Sequence, residues 1–191
     1  NPSPGYYFIE INEQTDLQLF DNYGKYVFEK ESKSGKRKKL LENGLLAEFA
    51  FTKYYLYNQD FELIDSIVNP TNYMIDMHDI VALRNGHYLM LLNNNVTMDL
   101  SSIVEGGKED ATIIDNILVE TDGKGNIFWS WSAKDHLQIS DVTSAVDLTM
   151  NLIDPFHINS IFEDSDGNLL ISIRHYDEIS LINKQPKALT W

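Results

Sequence analysis

A histidine and an arginine close one hairpin of this chain, and a second histidine recurs at the matching point upstream. The hairpin runs from Asp154 to His175, DPFHINSIFEDSDGNLLISIRH; His157 heads its first apolar run and Arg174 ends the second. Between them, Asp164-Ser165-Asp166-Gly167-Asn168 has the residue types of a tight turn. Antiparallel neighbours lie about 5 Å apart, so the two outer ends should meet. An imidazole that titrates near neutrality, beside a guanidinium that stays charged, suits the binding and transfer of an anion. On an isolated hairpin the same pair reads better as a hydrogen-bonded strand end and a solvated cation. The upstream match favours the chemical reading. HDIVALRNGHYLML, from His78, aligns with HINSIFEDSDGNLLIS, from His157, the second copy carrying two more turn residues.

The two histidines stand 79 residues apart, room for four strands and two sizeable loops. Short apolar or alternating runs recur along the whole chain, separated by Asn-Gly, Asp-Gly and similar turns. They fall into four groups at about residues 5–31, 38–68, 73–131 and 157–191. The sequence therefore predicts an all-β chain: one partial β-propeller domain over residues 1–191, built of four-stranded antiparallel blades. In that architecture the first strand of each blade lines a central channel, and histidines heading those strands converge. A β-sandwich would use similar strands but gives no reason for histidine to recur at one point of a four-strand unit. Residues 132–153 are the best helical candidate and serve equally as a long loop. Lys33 to Lys39, KSGKRKK, reads as a solvated hairpin tip, short and isolated in an acidic chain.

Composition excludes several classes of function. The 191 residues are 43% apolar, which marks a globular chain. Acidic residues number 29 against 15 basic, a net charge of −14, so double-stranded nucleic acid and anionic membrane surfaces are poor partners. With no cysteine there is no disulfide, thiolate catalysis or zinc–thiolate site. No run approaches the roughly 20 apolar residues that span a bilayer.

Taken in order, several stretches resemble the aryl-sulfate sulfotransferases. They are His78-Asp79 leading to Asn85-Gly86-His87-Tyr88-Leu89, then NILVETDGKGNIFWSWSAKDHL, then the His157–Arg174 hairpin, then EISLINKQPKALTW. Asp135-His136 following Trp129 and Trp131 adds to the likeness, which is good from about residue 72 and looser before it. The resemblance implies a six-bladed propeller with its active site in the central channel. It implies transfer of a sulfuryl group from an aryl sulfate to a phenol, without a nucleotide donor, by a ping-pong route through a sulfated histidine. It makes His78 and His157 channel histidines and Arg174 the anion-binding arginine, with no cofactor or metal, in a periplasmic or secreted protein.

The chain also departs from that pattern. The histidine that becomes sulfated is expected in the blade after the His157–Arg174 hairpin, and about four blades are present where six are expected. The sequence thus reads as a piece of a longer protein, inactive alone. His136 and His175 are poor substitute nucleophiles: the first should cap a loop, and strand alternation should turn the second away from Arg174. Two other readings stay open. One is a propeller that binds a ligand or protein partner without catalysis. The other is a metal site of His78, Asp79 and His157, which a neighbouring Arg174 disfavours.

Overall fold

The computed structural model describes residues 5–9, 16–31, 33 and 37–190; residues 34–36 of the basic turn and Trp191 lie outside these. Two compact units divide the chain, Asn1–Val68 and Asn69–Trp191. Among the described residues, all regular structure of any length is β.

The first unit holds two antiparallel sheets. One has strands β1 (Tyr6–Ile9), β2 (Asp16–Asp21) and β3 (Tyr26–Glu31), and the other β4 (Lys38–Leu40), β5 (Leu46–Phe49), β6 (Lys53–Tyr57) and β7 (Leu63–Val68), each in sequential order. Asp21 closes the β2–β3 turn, its Oδ1 accepting from the backbone N–H of Tyr23 and Lys25. Leu46, Ala47, Phe49, Tyr54 and Leu56 are buried. Within that layer Glu48 is fully buried and accepts the Tyr57 hydroxyl at 2.5 Å. Burial, together with this carboxylate, raises the Tyr57 phenol well above its ordinary range.

The second unit holds the other two sheets. β8 (Met74–Ala82), β9 (Tyr88–Met98), β10 (Ala111–Thr121) and β11 (Ile127–Ser132) form an antiparallel meander, and β12 (Leu152–Ile153) adds to β10 in parallel. β13 (Ile158–Glu163), β14 (Leu169–Ile173), β15 (Glu178–Asn183) and β16 (Ala188–Leu189) make the second meander. Gly86 and Gly167 sit in the left-handed region at φ 86° and 81°, where a side chain would be strained. One core joins both sheets: Leu89, Leu91, Leu118, Trp129 and Trp131 pack with Ile158, Ile171, Ile173 and Ile182. The fold is all-β, in antiparallel meanders of propeller-blade type. Residues 132–153 form no long helix; they carry two single 3₁₀ turns, Ala133–Asp135 and Ile139–Asp141, before β12.

One buried carboxylate in this unit has a readable effect on stability. Asp115 on β10 is fully buried, accepting from Ser132 Oγ at 2.7 Å and Lys134 N at 3.0 Å. Burial raises its carboxyl above the ordinary range, against the lowering effect of both hydrogen bonds. The folded state therefore holds this proton to higher pH than the unfolded chain does. Stability from this group falls as pH rises through that interval. Asp115→Asn keeps one acceptor, and the Ser132 hydroxyl can turn to accept from the new amide. The variant is expected to unfold at higher urea than the parent at pH 7, with the gain gone below about pH 3.5, where both states of the parent are protonated. A lower midpoint at pH 7 would refute this.

Candidate active site

His78 lies where β8 breaks register, and His157 immediately precedes β13. β8 pairs with β9 up to Ile75 and again from Ile80, and the residues between form a bulge. Carboxylates satisfy backbone donors along this stretch: Asp76 Oδ1 accepts from His78 N at 2.8 Å, and Asp79 Oδ1 from Ile80 N at 2.8 Å. The same Asp76 oxygen lies 2.6 Å from His78 Nδ1. At the start of β13 the device recurs with different spacing. Asp154 Oδ1 accepts from His157 N at 3.2 Å, and Asp154 Oδ2 lies 2.5 Å from His157 Nδ1. His157 takes a left-handed backbone, φ 53°, a conformation histidine enters more readily than most residues.

β8 and β13 run side by side. The His78 and His157 rings meet edge to face with centroids 5.0 Å apart. Three side chains tie the two sheets at this seam: Asp79 Oδ2 accepts from Ile161 N at 2.7 Å, Asn116 Oδ1 from Ile158 N at 2.9 Å, and Glu163 Oε2 from Arg84 N at 2.9 Å. Asp79 is thus a structural bridge between strands. Among the described residues no three histidine or carboxylate side chains are grouped as metal ligands.

Arg174 follows β14 and is held beside His157 through the backbone, its N–H donating to the His157 carbonyl at 3.3 Å. Its side chain is exposed and has no ion pair or hydrogen bond among the described residues. In a chain of charge −14, that leaves a guanidinium open to an outside anion. His175 departs from expectation. Arg174–Tyr176 is a single 3₁₀ turn ending at left-handed Asp177, so strand alternation does not apply there. The His175 ring instead lies 5.1 Å from the His157 ring, and its Nδ1 is 2.7 Å from the Asp154 carbonyl oxygen. The loop after β11 braces this turn: Thr143 N donates to the His175 carbonyl and the Tyr176 hydroxyl to the Gln138 carbonyl. His136 bonds the Ser132 carbonyl through Nδ1 and stacks on Trp131, away from these rings in role.

A second polar cluster stands apart. Glu120, nearly buried, accepts from Asn85, His87 and Lys184. Burial would raise its carboxyl, but these three donors outweigh it and lower it below the ordinary range. Its three donors all come from inside the fold, so it reads as a stabilising cluster. Sequence reasoning missed Asp76 and Asp154. The signal existed, an aspartate shortly before each histidine, but the spacings differ by one residue and the repeats were aligned on the histidines.

Residues 53–191 match the family model of the arylsulfotransferases (ASST). No curated protein matches the chain. Among solved structures, a protein of unknown function from Bacteroides caccae is similar with a TM-score of 0.51 at 11% identity, over 99% of this chain and 57% of that one. BBS1N, solved in complex with ARL6DN, gives a TM-score of 0.41 at 12% identity, over 100% of this chain and 56% of that one. The chain thus spans little more than half the length of either.

Proposed function

The chain belongs to the arylsulfotransferase family, and we propose that it serves nucleotide-independent transfer of a sulfuryl group from an aryl sulfate to a phenol. The observation that supports this most is the pairing of the His78 and His157 rings, with the backbone of Arg174 hydrogen-bonded to that of His157. A sulfuryl group in transfer spreads negative charge over its oxygens, and fixed cationic donors aimed there lower the barrier. Arg174 supplies a planar fork of N–H donors for two of those oxygens. In the first half-reaction the bond from sulfur to the aryl oxygen breaks, sulfur bonds to a nucleophilic nitrogen, and the departing phenolate takes a proton from an imidazolium. In the second, an acceptor phenol gives its proton to an imidazole as its oxygen bonds to sulfur, and the sulfur–nitrogen bond breaks to return the free nucleophile. We give His78 and His157 the proton-handling and anion-binding roles, and the nucleophilic role to neither. The same reading carries a periplasmic or secreted location. No helix among the described residues is long and apolar enough to cross a membrane.

The test is incubation of the full-length protein with a chromogenic aryl sulfate, with and without added phenol. Phenol-dependent release of chromophore is expected. Binding of the aryl sulfate without release would favour a non-catalytic propeller, and neither binding nor release would remove the reading.

A further inference from the structure

Resting on the sulfuryl-transfer reading for its purpose, but not for its test, we propose that Asp76 and Asp154 are positioning residues. Each locks a site histidine in the tautomer with hydrogen on Nδ1 and turns Nε2 toward the ligand. His175 joins them as a third imidazole held the same way.

The argument begins with what faces each Nδ1. For His78 it is a carboxylate oxygen of Asp76, for His157 a carboxylate oxygen of Asp154, and for His175 the backbone carbonyl of Asp154, at 2.6, 2.5 and 2.7 Å. Ionised carboxylates and carbonyls only accept, so each Nδ1 must donate. In a neutral imidazole that leaves Nε2 as a bare lone pair. Among the described residues no hydrogen bond engages Nε2 of any of the three.

A relay behind His78 fixes the arrangement further. Asp76 Oδ2 accepts from Asn93 Nδ2 at 2.8 Å, and Asn93 Oδ1 accepts from Asn116 Nδ2 at 2.7 Å. Asn116 Oδ1 then accepts from the backbone N–H of Ile158, the residue after His157. The relay has one direction only: it starts at a backbone donor and ends at an acceptor-only carboxylate, so neither amide can flip without breaking bonds at both ends. Asn116 is almost fully buried, where a mispaired amide is expensive. The relay links the Asp–His pair of one sheet to the backbone beside the pair of the next. Ring orientation at the two sites is thereby set together.

The two aspartates reach the same result from different spacing. Asp76 is two residues before its histidine on a bulge; Asp154 is three before, and the left-handed turn at His157 absorbs the extra residue. Two unlike backbones ending in one side-chain arrangement point to the ring nitrogen as the thing being controlled. With Nδ1–H spent on an acceptor, Nε2 is the atom that takes the proton of the acceptor phenol and, as imidazolium, gives one to the departing phenolate; the other tautomer would leave no lone pair there to take it.

The experiment is long-range ¹H–¹⁵N correlation of the imidazole nitrogens of the ¹⁵N-labelled chain, recorded on the alkaline plateau where their shifts no longer change with pH. His78, His157 and His175 are expected to show the Nδ1–H pattern. In Asp154→Asn the new amide can donate to Nδ1, so His157 is expected to change to the Nε2–H pattern while His78 keeps its own. In Asp76→Ala the acceptor facing His78 Nδ1 is gone, so His78 is expected to lose its fixed Nδ1–H pattern while His157 keeps its own. Dispersed amide spectra confirm that each variant is folded, and each variant serves as the control for the other. An Nε2–H pattern in the parent, or an unchanged pattern in both folded variants, would overturn the proposal. If the tautomers are as stated but full-length protein does not turn over an aryl sulfate, only the sulfuryl-transfer reading fails.

Discussion

Replacing Arg174 with alanine in the full-length protein is expected to lower kcat/KM for a chromogenic aryl sulfate by about 10²–10³-fold. That is the usual effect of removing one fixed donor from a site that stabilises developing negative charge. The arginine is well placed for a clean measurement. Its side chain is exposed and engages nothing among the described residues, so the thermal midpoint should barely move. Its backbone N–H, which holds it beside His157, survives the substitution. Arg174→Lys should restore the rate only in part, since an ammonium offers a point charge in place of a planar fork. Turnover within twofold of the parent for Arg174→Ala would exclude a role in anion stabilisation.

The second large effect concerns stability. Asp79, nearly buried, accepts the backbone N–H of its neighbour Ile80 and, across the seam, that of Ile161. Asp79→Ala strands both donors in a region that water does not reach. Unsatisfied buried groups cost about 1–3 kcal/mol each, so a loss of about 2–4 kcal/mol is expected in urea denaturation. Asp79→Asn keeps one acceptor and should lose less. A midpoint unchanged in the alanine variant would show that the Asp79 bridge adds nothing to the stability of the seam.

Much of this was legible in the sequence, for identifiable reasons. The strands announced themselves because turn residues such as Asn85-Gly86 and Asp166-Gly167 punctuate short apolar runs, and the structure places left-handed glycines there. His78 and His157 stood out because each opens a similar apolar stretch. What stayed hidden lay where regular strand geometry fails. The role of Asp79 as a bridge, in place of a possible metal ligand, depends on which backbone donor faces it across 82 residues. The place of His175 beside His157 is not legible from strand alternation, because the chain leaves the strand after Ile173 for a tight turn. Residues 132–153 carry polar groups that bond locally, as Asp147 does to Thr149, and such bonds compete with a helix.

The contact between β8 and β13 also bears on how this unit reaches its native state. Each meander closes through nearest neighbours in sequence, whereas the histidine pair and the Asp79 bridge join segments about 80 residues apart. Contacts of that range form slowly, because the chain between them must be ordered before they give anything back. A single folded meander therefore contains no site. The apposed imidazoles would serve as a natural reporter of late assembly: their ring signals should acquire native shifts only in the slowest phase of refolding, after most strand amides are already protected from exchange.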